Sequence, residues 1–135
     1  MDSVNVEWIV GQCLVSVKLN ESCQWIFSFM PQLVIEVECP WRLLKDGCLR
    51  ISCEDHLQQY GLPALLDAGI IATDLLHSQS ITDVKIQDGT ADLLIDFSDN
   101  FRLEIMPFSS GYENWSVITS AGEQIIAQGG ELLLF

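Results

Sequence analysis

Apolar side chains recur at every second position in short runs, and this period of two constrains the chain to strands before anything else about it is considered. Trp25, Phe27 and Phe29, extended backwards by Cys23, share one side of an extended segment, and Leu33, Ile35, Val37 and Cys39 share one side of the next. The opposite sides carry Gln24 and Ser28 on the first segment and Glu36 and Glu38 on the second, the pattern of an antiparallel sheet with one solvated face. After residue 80 the pattern returns. Asp88-Gly89, between Ile86 and Ala91, suits a hairpin turn, and Ala91, Leu93, Ile95 and Phe97 alternate with Asp92, Leu94, Asp96 and Ser98. Asp99-Asn100 then reverses the chain into Phe101, Leu103 and Ile105, backed by Arg102, Glu104 and Met106.

Overlaying the two sets reveals a faint internal repeat. Val17-Lys18 matches Val84-Lys85, and after one inserted residue at the first turn Phe29 matches Phe97 and Glu36 matches Glu104. Chance likeness between two amphipathic meanders accounts for so few identities equally well. Between the sets lies one convincing helix, predicted from Pro63 to about His77. Leu65, Leu66, Ala68, Ile70, Ile71, Ala72, Leu75 and Leu76 cover most of its circumference, which predicts that it is largely buried. The expected fold is α+β, two antiparallel β-meanders packed around one central helix. A last hairpin and an apolar tail, Leu132 to Phe135, are expected to be tied down.

A length of 135 residues, 49% of them hydrophobic, predicts a single domain over 1–135 with one core. Six Lys plus Arg against 19 Asp plus Glu give a formal net charge of -13, so nucleic acid and anionic membranes are poor partners and none is expected; a basic protein is favoured, with a cation or a neutral ligand as alternatives. No apolar run approaches the roughly 20 residues of a membrane span, and Met1-Asp2-Ser3-Val4 is acidic and lacks the apolar region of a secretory signal; both predict the cytoplasm. Five cysteines (Cys13, Cys23, Cys39, Cys48, Cys53) without a Cys-x-x-Cys pair are expected as free thiols, Cys48 and Cys53 being the pair to watch.

Chemistry is hard to assemble from these residues. A zinc site needs three or four ligands, usually in short-spaced pairs, and His56 and His77 have no partner at such spacing, so neither a metal nor a cofactor is expected. Gly129-Gly130 is followed by Glu131, which would repel a phosphate. The best catalytic cluster is Arg42, Glu54, Asp55, His56, Tyr112 and Glu113, with Cys39 or Ser109 as nucleophile. Sequence neighbours on an extended chain point in opposite directions, however, so Glu54-Asp55-His56 equally reads as a turn in which Asp55 caps backbone amides, and Arg42 as half of an ion pair. Ser109 to Trp115 mixes small, polar and aromatic residues as binding loops do, or else its rings close the core.

Val37-Glu38-Cys39-Pro40-Trp41-Arg42-Leu43, Glu54-Asp55-His56, Gly61-Leu62-Pro63 leading into Asp67-Ala68, Asp92-Leu93, Ser109-Ser110-Gly111-Tyr112-Glu113-x-Trp115 and Gly129-Gly130 together resemble a family of small uncharacterised bacterial proteins. That resemblance implies a fold and no activity. In being short, acidic and free of catalytic motifs the chain also resembles, by type and not by motif, the immunity proteins of contact-dependent inhibition and other polymorphic toxin systems.

These readings favour a cytoplasmic immunity protein, not an enzyme, that binds and neutralises a basic nuclease toxin domain, because a positive phosphate-binding site attracts an acidic inhibitor. The expected surface is the outer sheet face with Glu36, Glu38, Asp92, Asp96 and Glu104, rimmed by Asp83, Asp88 and Asp99; the alternative role of these carboxylates is solubility. A second reading is a small-ligand-binding or enzymatic domain with a pocket near Arg42, Asp55, His56, Tyr112, Glu113 and Trp115. A third is an architectural subunit, suggested by the apolar Leu132-Leu133-Leu134-Phe135 end.

Overall fold

The computed structural model describes residues 6–119 and 121–135, so the acidic N-terminal Met1-Asp2-Ser3-Val4 lies outside the described residues. The alternating runs form strands as the period demands: β1 (Cys13–Leu19), β2 (Trp25–Met30), β3 (Leu33–Val37), β4 (Trp41–Lys45), β5 (Cys48–Ser52), β6 (Ile81–Ile86), β7 (Leu93–Phe97), β8 (Phe101–Ile105), β9 (Glu113–Thr119), β10 (Gln124–Gln128) and β11 (Glu131–Leu134). The helix α1 (Ala68–Leu76) separates β5 from β6, and a single 3-10 turn, Glu7–Ile9, precedes β1. Every strand pair is antiparallel. The strands make two sheets around the helix, one in the order β1-β2-β3-β9-β10-β11 and the other β5-β4-β8-β7-β6.

Each meander thus lies in its own sheet, and the hairpin that follows it crosses to the other. β4-β5 leaves β3 and adds to β8, and β9-β10 leaves β8 and adds to β3. The registers of the two crossings match: Trp115 stands opposite Val37, and Trp41 stands opposite Ile105. The repeat read from the sequence makes Val37 the counterpart of Ile105, so the halves are related by an approximate two-fold.

Residues on its axis should meet their own counterparts, and they do. Phe29 and Phe97 stack at 6.2 Å between ring centroids, 14° from parallel. The starts of β1 and β6 pair with each other through the bridge Cys13–Ser80. Its hydrogen bonds come in related couples: Leu14 N–H donates to Gln79 and Ile81 N–H to Gln12, while Gly11 N–H donates to Ile81 and Ser78 N–H to Leu14. The first hairpin turns also correspond, with Cys23 (φ 61) and Ala91 (φ 63) both in the left-handed region. Cys23 is therefore an exposed turn residue and not the first apolar position of β2.

The inward faces carry the core: Trp25, Phe27 and Phe29; Leu33, Ile35 and Val37; Leu93, Ile95 and Phe97; and Leu103 and Ile105, with Trp41 and Trp115 almost wholly enclosed. Trp115 Nε1 donates to the Ala91 carbonyl at 2.8 Å. The counterpart turn, Asn20 to Gln24, is one residue shorter, and Trp41 Nε1 has no hydrogen-bond partner among the described residues. Trp41 instead meets Trp25 and Phe27 edge to face, at 5.1 and 5.4 Å.

The helix is shorter and less buried than its composition suggests. It starts at Ala68, not at Pro63, because the Asp67 side chain accepts from Ile70 N–H and caps it there. The preceding residues are held in irregular form by backbone bonds from Leu57 to Leu66 and from Leu66 to Gln58. Ala68, Gly69, Ala72 and Leu76 pack inward, whereas Ile70 stays 59% exposed. The helix lies against edge strand β1, where Thr73 Oγ1 receives Val17 N–H at 2.9 Å. Gly69 permits that closeness: a Cβ there would sit 2.6 Å from the Val17 carbonyl oxygen. Helix propensity alone would make Gly69→Ala stabilising by about 1 kcal/mol. The backbone clash should reverse the sign and cost about 1–3 kcal/mol, read as a lower midpoint in urea unfolding with an unchanged slope.

Candidate functional site

The outer face of the five-stranded sheet is a ladder of opposite charges. Arg102 binds Asp96 with two hydrogen bonds, at 2.7 and 3.1 Å, across the β7–β8 hairpin. Arg42 Nε reaches Glu104 at 2.7 Å across β4 and β8, and Arg102 approaches the same carboxylate at 3.9 Å. These contacts hold the Arg102 guanidinium, hydrogen-bonded to Asp96, above its ordinary pKa. At the far end of this sheet Lys45 pairs with Asp99 at 3.0 Å and covers the Phe101 ring. Every Lys and Arg except Lys18 sits on this sheet's strands. Asp96, Glu104 and Asp99 are therefore neutralised within the molecule.

The expected acidic face would be one continuous patch only if both meanders lay in one sheet, and they lie in two. Glu36 projects from β3 in the other sheet, and Asp83 sits opposite Asp96 on β6. Two sheets separate what a single sheet would have joined, and cross-strand arginines take up part of the rest. Glu38, Asp88 and Asp92 remain, and they lie in the connections at one end of the sandwich.

That end gathers more carboxylates than the strand pattern showed. Glu38 follows β3 and its N–H donates to Asn114, beside Glu113 at the start of β9. The β6–β7 loop with Asp88 and Asp92 meets the β10–β11 turn so closely that a Cβ at Gly130 would lie 2.8 Å from the Gly89 carbonyl oxygen. Glu131 opens β11 at this contact. Gln128 Nε2 donates to the Gly111 carbonyl and ties the β8–β9 loop to the same turn. Glu38, Asp88, Asp92, Glu113 and Glu131 have no cationic partner within ion-pair distance among the described residues.

The β8–β9 loop carries two aromatic rings outward, Phe108 and Tyr112, each 80% exposed. It is stiffened from within: Ser109 Oγ accepts from Gly111 and Tyr112 N–H, and the buried Asn114 side chain bonds Ser109 through both its amide atoms. Ser109 is thus occupied as a turn former. Trp115, by contrast, points into the core. The counterpart connection, between β3 and β4, runs only from Glu38 to Pro40, so the aromatic loop is an addition to the repeat. Tyr112 and Glu113 are visible in the sequence as candidates; Phe108 and Glu131 were missed because nothing local shows that their segments adjoin.

The residues of the alternative pocket go separate ways. Asp55 closes a capping box with Ser52 after β5 and accepts from the Tyr60 hydroxyl at 2.9 Å, which holds that phenol above its ordinary pKa. His56 Nδ1 accepts from Ala68 N–H, and its ring stands edge to face with Trp25 at 4.9 Å. It lines a groove of about 560 Å3 between β1 and α1, with Lys18, Asp67 and Asp74. Arg42 is on the charged sheet face, Tyr112 and Glu113 are at the loop end, and none of them borders this groove. Cys39 is enclosed, and burial pushes its thiol up to about 12, far from a nucleophile's range. Cys48 and Cys53, at opposite ends of β5, are unpaired thiols.

Comparisons with protein-family models, with curated proteins and with solved structures found no match. The site therefore stands on its geometry. Thiol chemistry checks it directly: in the native protein at pH 8, iodoacetamide should modify exposed Cys23 and Cys48 rapidly. Cys39 should react only on unfolding, read by peptide mass mapping; labelling of Cys39 at the rate of Cys23 would mean that the β3–β4 connection opens.

Proposed function

We propose that this chain is a cytoplasmic immunity protein, acting by occlusion and not by catalysis, whose loop end binds and neutralises a basic toxin domain. One observation carries the reading: five carboxylates without ion partners among the described residues (Glu38, Asp88, Asp92, Glu113, Glu131) lie in adjoining connections at the same end as the exposed Phe108 and Tyr112. Charge of one sign steers a basic partner and sets orientation, while aromatic side chains on a stiff loop supply anchors at small entropic cost. The outer face of the five-stranded sheet suits this role less, because its carboxylates already hold arginines and a partner would have to displace them.

The likeness of type to immunity proteins supports the same reading. No helix among the described residues is long and apolar enough to cross a membrane. A nuclease toxin is the favoured target class, since its phosphate-binding cleft is the kind of positive concavity that an acidic, aromatic-tipped end fits.

Co-purification with the product of the gene immediately upstream tests the reading. That product should be toxic alone and should form a complex with this chain; a harmless or non-binding product overturns the proposal. Within the complex, Asp88→Lys with Asp92→Lys should slow association about tenfold or more and flatten its salt dependence. Tyr112→Ala and Phe108→Ala should mainly speed dissociation, by about 1–3 kcal/mol each. Asp96→Asn should change the association rate much less than the Asp88/Asp92 pair, because Arg102 already offsets its charge.

A further inference from the structure

Edge strands expose main-chain donors and acceptors, and this protein protects its edges unequally. The outer edge of β1 is covered by α1, with Val17 N–H bonded to Thr73. The start of β6 is bonded to β1, and its exposed residues include Asp83 and Lys85. β5 carries the exposed Arg50, and its pairing with β4 is bulged between Leu43 and Leu44. Charges and bulges of this kind discourage edge-to-edge pairing. β11 has neither. Its pairing with β10 runs without a register shift, and after Glu131 it reads Leu132, Leu133, Leu134, Phe135.

The direction of its free groups follows from the ladder. Phe135 N–H donates to Gln124 and Gln124 N–H to Phe135, so these residues form a hydrogen-bonded pair. Antiparallel alternation then makes Leu133–Ile126 and Glu131–Gln128 the same kind and turns the N–H and C=O groups of Leu132 and Leu134 toward the open edge. Leu134 shares the core side with Ile125, yet it is 62% exposed, because the six-stranded sheet is one strand wider than its neighbour. Leu133 is 37% and Phe135 74% exposed. β11 has no counterpart in the first half of the repeat, so the approximate two-fold does not require it.

We infer that β11 is a homodimerisation strand, pairing antiparallel with β11 of a second copy about a two-fold axis at Leu133. The strand is complementary to itself. Centred on Leu133, the pairing sets Leu132 against Leu134 of the other copy, twice, so that all four outward donors and all four outward acceptors are satisfied. Glu131, the strand's single charge, falls opposite the other copy's Phe135, and the two like charges stay apart. Leu132 and Leu134 of both copies then form one apolar strip on the core side of a continuous sheet. Both free edges are consumed, so assembly stops at two. A single strand pair falls well short of the roughly 20–30 residues a side of a stable interface, so the association is expected to be weak and to show at high protein concentration.

Sedimentation equilibrium on the 135-residue protein tests this. The weight-average mass should rise from 15.1 kDa toward twice that value with concentration, and more readily in about 0.5 M salt than at low salt, since screening relieves repulsion between two chains of net charge -13. Leu134→Pro removes a donor that β10 does not use, and Leu133→Lys places two lysines face to face. Each should hold the protein at 15.1 kDa with the wild-type circular dichroism spectrum, and Leu133→Lys stands alone should the proline variant fail to fold. Wild-type protein that remains at 15.1 kDa at about 1 mM in high salt, variants that dimerise as the wild type does, or open-ended polymers would each overturn the inference.

Discussion

Exchange of hairpins between the two halves is the constraint on which the rest of the structure depends. Neither three-stranded meander can bury its inner face by itself, and each is completed by a hairpin supplied from the other half of the chain. Trp115 opposite Val37 and Trp41 opposite Ile105 are the two clasps of that exchange, and both indoles are nearly wholly enclosed. Replacing a buried residue of this size by Ala typically costs about 3–5 kcal/mol, a large part of a small domain's total stability. The clasps also join residues far apart in sequence, so loop closure precedes the reward for it and the two sheets must form together. Cooperativity between the two halves follows from topology here, although the repeat reads as two similar units.

Much of this was legible in the sequence because strand faces are set by a local period. Which residues of β2, β3, β7 and β8 point inward follows from alternation alone, and the Asp99-Asn100 reversal follows from turn chemistry, both residues adopting positive φ. The faint repeat was legible for the same reason, down to the single extra residue in the β6–β7 turn. The hairpin exchange was not. Pro40-Trp41 after β3 reads as the next strand of a meander, and only the distant partner Ile105 shows that β4 has changed sheets. The helix start escaped for a different reason: Pro63 satisfies the rule for a first turn, but bonds to Leu57 and Gln58 hold Leu66 outside the helix, and Asp67 provides the better cap.

Charge shows the same division between local and distant information. Alternation tells which side of a strand a carboxylate occupies and says nothing about the cation that reaches it from another strand. Asp96 and Arg102 are neighbours across a short hairpin, so their pairing was within reach of a register argument. Arg42 and Glu104 belong to segments on either side of the helix, and only the fold brings them to 2.7 Å. Once those pairs are recognised, the negative field that composition predicts has to be assigned elsewhere, chiefly to loop and turn residues.

Departures from the two-fold sharpen that assignment. A repeated core explains its own parts, since each strand of one half has the same packing task as its counterpart. The β8–β9 loop and β11 have no such counterpart, and they carry the three most exposed large apolar side chains among the described residues, Phe108, Tyr112 and Phe135, together with Leu134. Exposed apolar side chains carry a solubility cost that a chain of this charge can tolerate, but burial within this chain gives no reason for their positions. Both additions also meet at the Gly129-Gly130 turn, where small residues let the aromatic loop and the edge strand approach the same backbone. A shared anchor of this kind places the end we propose for partner binding and the edge we propose for self-pairing next to each other, so the two would be coupled through that turn.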